Sequence, residues 1–527
     1  MTRIIGIGGT AMLTASMMAT GLIAQVPGAP RQTTEKLGTV HFPTSCAPAV
    51  TPQFDRAVAL LHSFEFGASI RTFDEVLATD STCAMAWWGI ALSRWTNPMV
   101  PNVRPPALVE RGRQAVETAT RFGIQASDRE RAYIAAVSQL YTDPTTRDQP
   151  TRVQAYERAM AELAAKFPTD TEARIFHAIA LVAAASPTDK SYGNQLRAGA
   201  ELEALFAAQP NHPGLAHYII HTYDVPALAG RAAAAARRYA DIAPSAAHAL
   251  HMPSHTFTRV GMWDESVATN LRSMDAATRE ASIAEALHAA DYAVYADLQM
   301  RRDSAAHAIV LRLPELAARF DPTAVTGAAP GSAGVFALAA IPARYALERR
   351  AWAEAAALQP TTSAFPYAEA VTHFAIALGS ANTGDSSRAR ASIDSLEAIR
   401  GRLVATHEAY WAEQVAIQRI GASAWLDLAR GRRDTALGEM REAAEREDAT
   451  EKAAVTPGPL APARELLGDM LLTLGRPGES LAEYRAALAR DPNRYRSLDG
   501  AMRAAAVAGD KATSAKYAQD LAKLTKP

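Results

Sequence analysis

Aromatic residues make up only 7% of the chain, and runs of β-branched residues are scarce, whereas alanine is abundant. Such residues favour close-packed helices, which excludes a sheet as the main architecture. Excess charge of one sign is lacking too: 54 Lys and Arg stand against 55 Asp and Glu, with no long basic run. No nucleic-acid-binding or polybasic membrane surface is expected. The sequence contains no Gly-rich phosphate loop, no Gly-x-Ser-x-Gly elbow and no His-Glu-x-x-His helix, so three common catalytic devices are missing. Cysteine is limited to Cys46 and Cys83. In an oxidising compartment an even count favours a disulfide, and two buried free thiols are the other reading.

What is present can fill a large core: 49% of the 527 residues are hydrophobic and 21% charged. Arg3 precedes a largely apolar stretch from Ile4 to Ile23, ending at Ala24-Gln25. This reads as a secretory signal over residues 1–24, giving an exported, periplasmic or extracellular protein with no stable membrane span after cleavage. An uncleaved anchor is the competing reading, since about 20 apolar residues can cross a bilayer. Residues 25–50, rich in Pro, Thr and Gly, form an extended arm. Helical periodicity follows from Phe54, with Ala57, Val58, Leu61 and Phe64 on one face.

Histidine is concentrated rather than abundant: seven of the 13 lie between His212 and His288. His217 and His221 form a pair four residues apart, and so do His251 and His255. That spacing puts each pair on one helix face. The two pairs are themselves offset by 34 residues. Near the C-terminus, counting from Ala461, Leu467-Gly468, Gly475, Tyr484, Ala487 and Pro492 fall at fixed positions. The closing prolines Pro168, Pro210 and Pro244 follow the same frame at spacings of 42 and 34, the first interval carrying an insertion. This pattern resembles the tetratricopeptide repeat, a helix–turn–helix unit of the same period. The resemblance implies an all-α solenoid, a right-handed superhelix of stacked helix pairs. The Pro/Gly-rich stretch 321–334 divides it into halves at 51–320 and 335–527. The segments His217–Asp224, Cys83–Gly89 and His248–Gly261 also resemble those of a group of exported bacterial tetratricopeptide proteins, a likeness that assigns no reaction.

In that family the histidine stripe would face a concave groove. Neutral imidazole is a common ligand for zinc and copper, so His217, His221, His251 and His255 are the candidate metal ligands. His248, His288, Asp224 and Asp291 are candidates for remaining ligands or for residues supporting them, and Tyr223, Ser254 or a carboxylate for partners of the second ring nitrogens. The alternative is a scaffold binding a peptide or protein in the groove with no metal at all. A metal-dependent enzyme of unspecified reaction is the third reading; with no recognised catalytic motif, the sequence leans away from it. His62, His177, His307, His373 and His407 stand alone and read as packed or surface residues. Two local questions stay open. Pro253 either kinks a helix or starts one, the second placing His248 and His251 on a loop. Thr456-Pro-Gly-Pro459 is a plain inter-helix loop or a segment reaching back to the groove.

Overall fold

The computed structural model describes residues 35–98, 104–186 and 188–526. The expected leader, residues 1–24, and the first part of the arm lie outside them. Among the described residues there is no strand; helices follow one another from Thr51–His62 to Lys511–Leu524, and residues from Lys36 onward form one compact unit. Side-chain caps start several helices. Ser127 and Glu130 form a capping box at Asp128–Ser138, and Asp148, Asp170 and Asp385 each accept a backbone N–H at a helix start. Short connections make successive helices antiparallel neighbours, as in the pairs Trp263–Arg279 with Ile283–Gln299 and Pro366–Thr383 with Ser386–Ala405.

The C-terminal unit shows why the repeat positions carry the residues they do. Ala463–Thr473 ends at Gly475, whose φ of 74° suits the turn, and Pro477–Arg490 starts on a proline. The Tyr484 ring then lies flat between two glycines: a Cβ on Gly500 would stand 2.1 Å from its Cζ, and one on Gly468 2.9 Å. No larger residue fits either position without moving a helix.

The arm is built into this stack. Phe42 is buried against Phe54, Trp88 and Tyr133, and Ser45 N–H donates to Glu130. Cys46 and Cys83 are bonded, with an S–S distance of 2.03 Å.

The helix Ile283–Gln299 is the axis of the molecule, with all of its residues buried. A helix buried on every side needs cover on every side. Trp263–Arg279 and Gly331–Glu348 flank it, and Tyr495–Val507 reaches it from the C-terminal end. The Pro/Gly stretch expected as a linker over 321–334 is folded inward. Its helix-free part ends at Pro330, Gly331 opens the next helix, Gly67 N–H donates to Thr326 O, and Ala329 N–H donates to Glu285. Thr456–Pro459 also reaches back: Tyr292 Oη donates to Thr456 O and Arg344 to Pro459 O.

Candidate metal centre

The helix Pro213–Thr222 carries His217 and His221 with every residue buried. The next histidines straddle a break. Ala247–His251 ends at Met252, and Pro253 opens Pro253–Arg259, so Pro253 starts a helix while His248 and His251 still sit on a helical turn. His288 comes from the axial helix. These six rings form one continuous cluster. Ring centroids are 4.8 Å apart for His217–His221, 5.0 Å for His217–His248, 5.8 Å for His221–His255 and His248–His251, and 4.5 Å for His251–His288.

The cluster resolves into two trios, His217/His221/His248 and His251/His255/His288, each offering ligand atoms within 4.8 Å of one another. The six are between 0% and 7% exposed. They do not line an open groove, as the sequence suggests. Ala328–Pro330 and Ala454–Val455 close over them, leaving a cavity of about 10 Å³ bounded by His221, His248, His255 and His288.

Hydrogen-bond partners fix the tautomers, because a carbonyl or carboxylate oxygen only accepts. His217 Nδ1 donates to His62 O (2.6 Å) and His248 Nδ1 to Glu285 Oε1 (2.8 Å). His255 Nδ1 donates to Asp224 Oδ2 (2.8 Å). His251 Nδ1 donates to Asn270 Oδ1 (2.6 Å), whose amide is oriented by Nδ2 donating to Ser266 O. In each neutral ring the Nε2 therefore carries a lone pair. His217 Nε2, His221 Nε2 and His248 Nε2 are buried with no hydrogen-bond partner among the described residues, as is His288 Nδ1. In the second trio, His251 Nε2 and His255 Nε2 stand 3.0 Å apart.

Burial opposes charging these rings. It holds His217, His221, His251 and His288 well below their ordinary value, reinforced by neighbouring histidines. His255 is brought down to about 4 by burial despite the pull of Asp224. The supporting carboxylates are ionised. Against burial, His248 holds Glu285 at about 2, and Lys452 and Arg259 hold Asp224 far below the usual range. Glu65, whose carboxylate accepts His248 N–H, is pushed up to about 8 by burial and by Glu285.

Of the other expected residues, Ser254 lies beside the site, donating to Asn270. Tyr223 and Asp291 do not join it. Tyr223 ends its helix pointing at Glu203, and Asp291 is held by Arg344 at 2.9 and 3.2 Å. Nor is His62 isolated: Glu172 accepts from His62 Nε2 (2.8 Å) and His212 Nε2 (2.9 Å) in a further buried cluster. Lys452, 3.0 Å from Asp224, and Glu285 also escape the sequence reading. The second histidine of the Glu172 cluster, at the edge of the dense region, was the one available signal.

No protein-family model matches the chain, and no curated protein matches it in sequence. Among solved structures, human IFIT1, as a dimer with PPP-AAAA, is 10% identical with a TM-score of 0.41, over 92% of this chain and 96% of that one. Yeast Tom70 is 11% identical with a TM-score of 0.37, over 89% and 99%. Ypp1 is 9% identical with a TM-score of 0.46, over 90% and 81%. The helix-pair architecture stands on the packing described above: the protein is an all-α helix–turn–helix scaffold with a buried polyhistidine interior.

Proposed function

We propose that this is an exported protein whose interior histidines bind a transition-metal ion, zinc or copper. One observation carries the reading: His251 Nε2 and His255 Nε2 face each other at 3.0 Å while both Nδ1 atoms already donate elsewhere. Two lone pairs at that distance repel unless a cation lies between them. A proton would have to charge one ring, which burial disfavours for both. A metal ion meets the demand directly. Two bonds of 2.0–2.1 Å at a tetrahedral angle set nitrogens about 3.4 Å apart, a small opening from what is seen. Asp224 behind His255 supplies the carboxylate that orients a metal-binding imidazole. The signal-like N-terminus and the cysteine pair both suit an oxidising compartment.

The peptide-binding alternative finds little surface on the histidines, which are at most 7% exposed. It is better served by a separate cleft of about 680 Å³ lined by Arg129, Asp170, Asn211 and His212.

The test is metal analysis of the mature chain purified without an affinity His-tag. Bound zinc or copper is expected, reduced by at least one ion per chain in H251Q/H255Q and weakened about 10- to 100-fold in D224N. A metal-free protein that takes up neither ion on titration would defeat the proposal.

A further inference from the structure

Beside the facing pair His251 and His255 lies the other trio of the cluster. His217, His221 and His248 hold three buried, unpartnered Nε2 atoms. The small cavity is walled by two histidines of each trio, His221 and His248 on one side and His255 and His288 on the other. At about 10 Å³ it has room for about one water-sized group. Each trio is backed by one ionised carboxylate, Glu285 on His248 and Asp224 on His255. The two halves of the cluster thus repeat one plan: three imidazoles, one carboxylate behind them, one shared space between.

We infer that the two trios hold a pair of copper(I) ions, with the cavity between them taking one small bridging anion such as hydroxide when copper(II) is loaded in their place. The inference rests on the metal reading and extends it. Three neutral nitrogens and no anionic ligand suit a soft monovalent ion that accepts three-coordination, whereas zinc seeks a fourth ligand. Charge decides in the same direction. With Asp224 already offset, two monovalent ions bring half the positive charge that two divalent ions would into a low-dielectric interior. Arg259 (2.8 Å) and Lys452 (3.0 Å) already surround Asp224 with positive charge. A divalent pair is therefore tolerable only with an anion in the cavity.

The experiment is anaerobic titration of the full mature chain with copper(I) against a competing chelator, with copper counted per chain. About two are expected for the wild type. H251Q/H288Q and H217Q/H248Q should each retain about one, with circular dichroism confirming that both fold. Loading with copper(II) gives a second readout. Each ion carries one unpaired electron, and a shared bridge couples the two. The wild type should show an electron-spin signal well below its copper content, and the single-trio variants one equal to it. One copper in the wild type, lost in both variants, overturns the pair and leaves the metal reading intact. No copper overturns both. Two coppers retained in either variant, or a full spin signal in the wild type, also overturns the pair.

Discussion

An imidazole can serve as a buried ligand only when its proton has somewhere else to go, and for His217, His248, His251 and His255 an accepting oxygen holds that proton. In the metal-free protein this leaves a signature in acid. His62, His217, His221, His251, His255 and His288 are all held below the ordinary 6.5, chiefly by burial, His255 at about 4. Unfolded, they titrate near 6.5, so below that pH the unfolded chain binds more protons than the folded one. Their stabilising effect is complete above 6.5 and is lost as the pH falls below it, for His255 down to about 4. Each contributes a slope of about 1.4 kcal/mol per pH unit within the window. Raised carboxylates act the opposite way, foremost Glu65, Glu447 and Asp297, pushed up to about 8, 7 and 6 by burial. The urea midpoint of chelator-treated protein should therefore fall steeply between about pH 6.5 and 5. A flat midpoint would mean that the rings are not buried and neutral. At this scale the 34-residue offset made four histidines legible, with His248 and His288 beside them. Their partners were not: Lys452 lies 228 residues from Asp224, and Glu172 lies 110 from His62. Contacts over such separations leave no period in a sequence. Asp291 misled because it shares the stripe of His288, yet Arg344, from another helix, claims it.

Elements were more legible than their burial. The repeat ending at Pro492 folds as its Leu-Gly, Tyr and Ala positions imply, and Pro253 resolves into a break that starts a helix. The sequence did not show that two irregular segments would cover the histidines, since Pro/Gly composition marks a loop without saying where it lies. The arm makes a similar point. Its described residues are fastened: Cys46 is bonded to Cys83 across 37 residues, and Ala47 N–H donates to Asp80. In the chain-entropy model a loop of that size adds about 4 kcal/mol to stability. Unfolding in denaturant with and without reductant should differ by roughly that amount, with metal content unchanged. Identical curves would show that the arm's packing, led by Phe42, holds it without the bond.

Repeat stacks ordinarily interact only with their neighbours, and long ones lose cooperativity as a result. This chain departs from that rule through polar contacts between distant repeats. Trp263 Nε1 donates to Asn493 O at 2.9 Å, and Tyr192 Oη to Glu451 at 2.8 Å. Lys452 reaches Asp224, while Arg494, buried, pairs with Glu348 and Glu465 and donates to Tyr295 Oη at 2.6 Å. Removing one partner from such a buried charge set costs about 3–5 kcal/mol. The axial helix Ile283–Gln299 gives the same argument in apolar terms. Ala337 and Ile341 of Gly331–Glu348 belong to the hydrophobic cluster formed around Leu287, Ala290 and Val294. A chain cut in the Pro/Gly stretch would strip that cover from the axis and open the histidine cluster from the Ala454–Val455 side. The intact protein should therefore unfold in a single transition, with circular dichroism and tryptophan fluorescence coinciding. A fragment of residues 36–320 should bind an apolar dye strongly and take up no copper. Two separated transitions, or a compact fragment that still takes up copper, would show instead that the N-terminal repeats stand alone and that the metal site needs nothing from the C-terminal half.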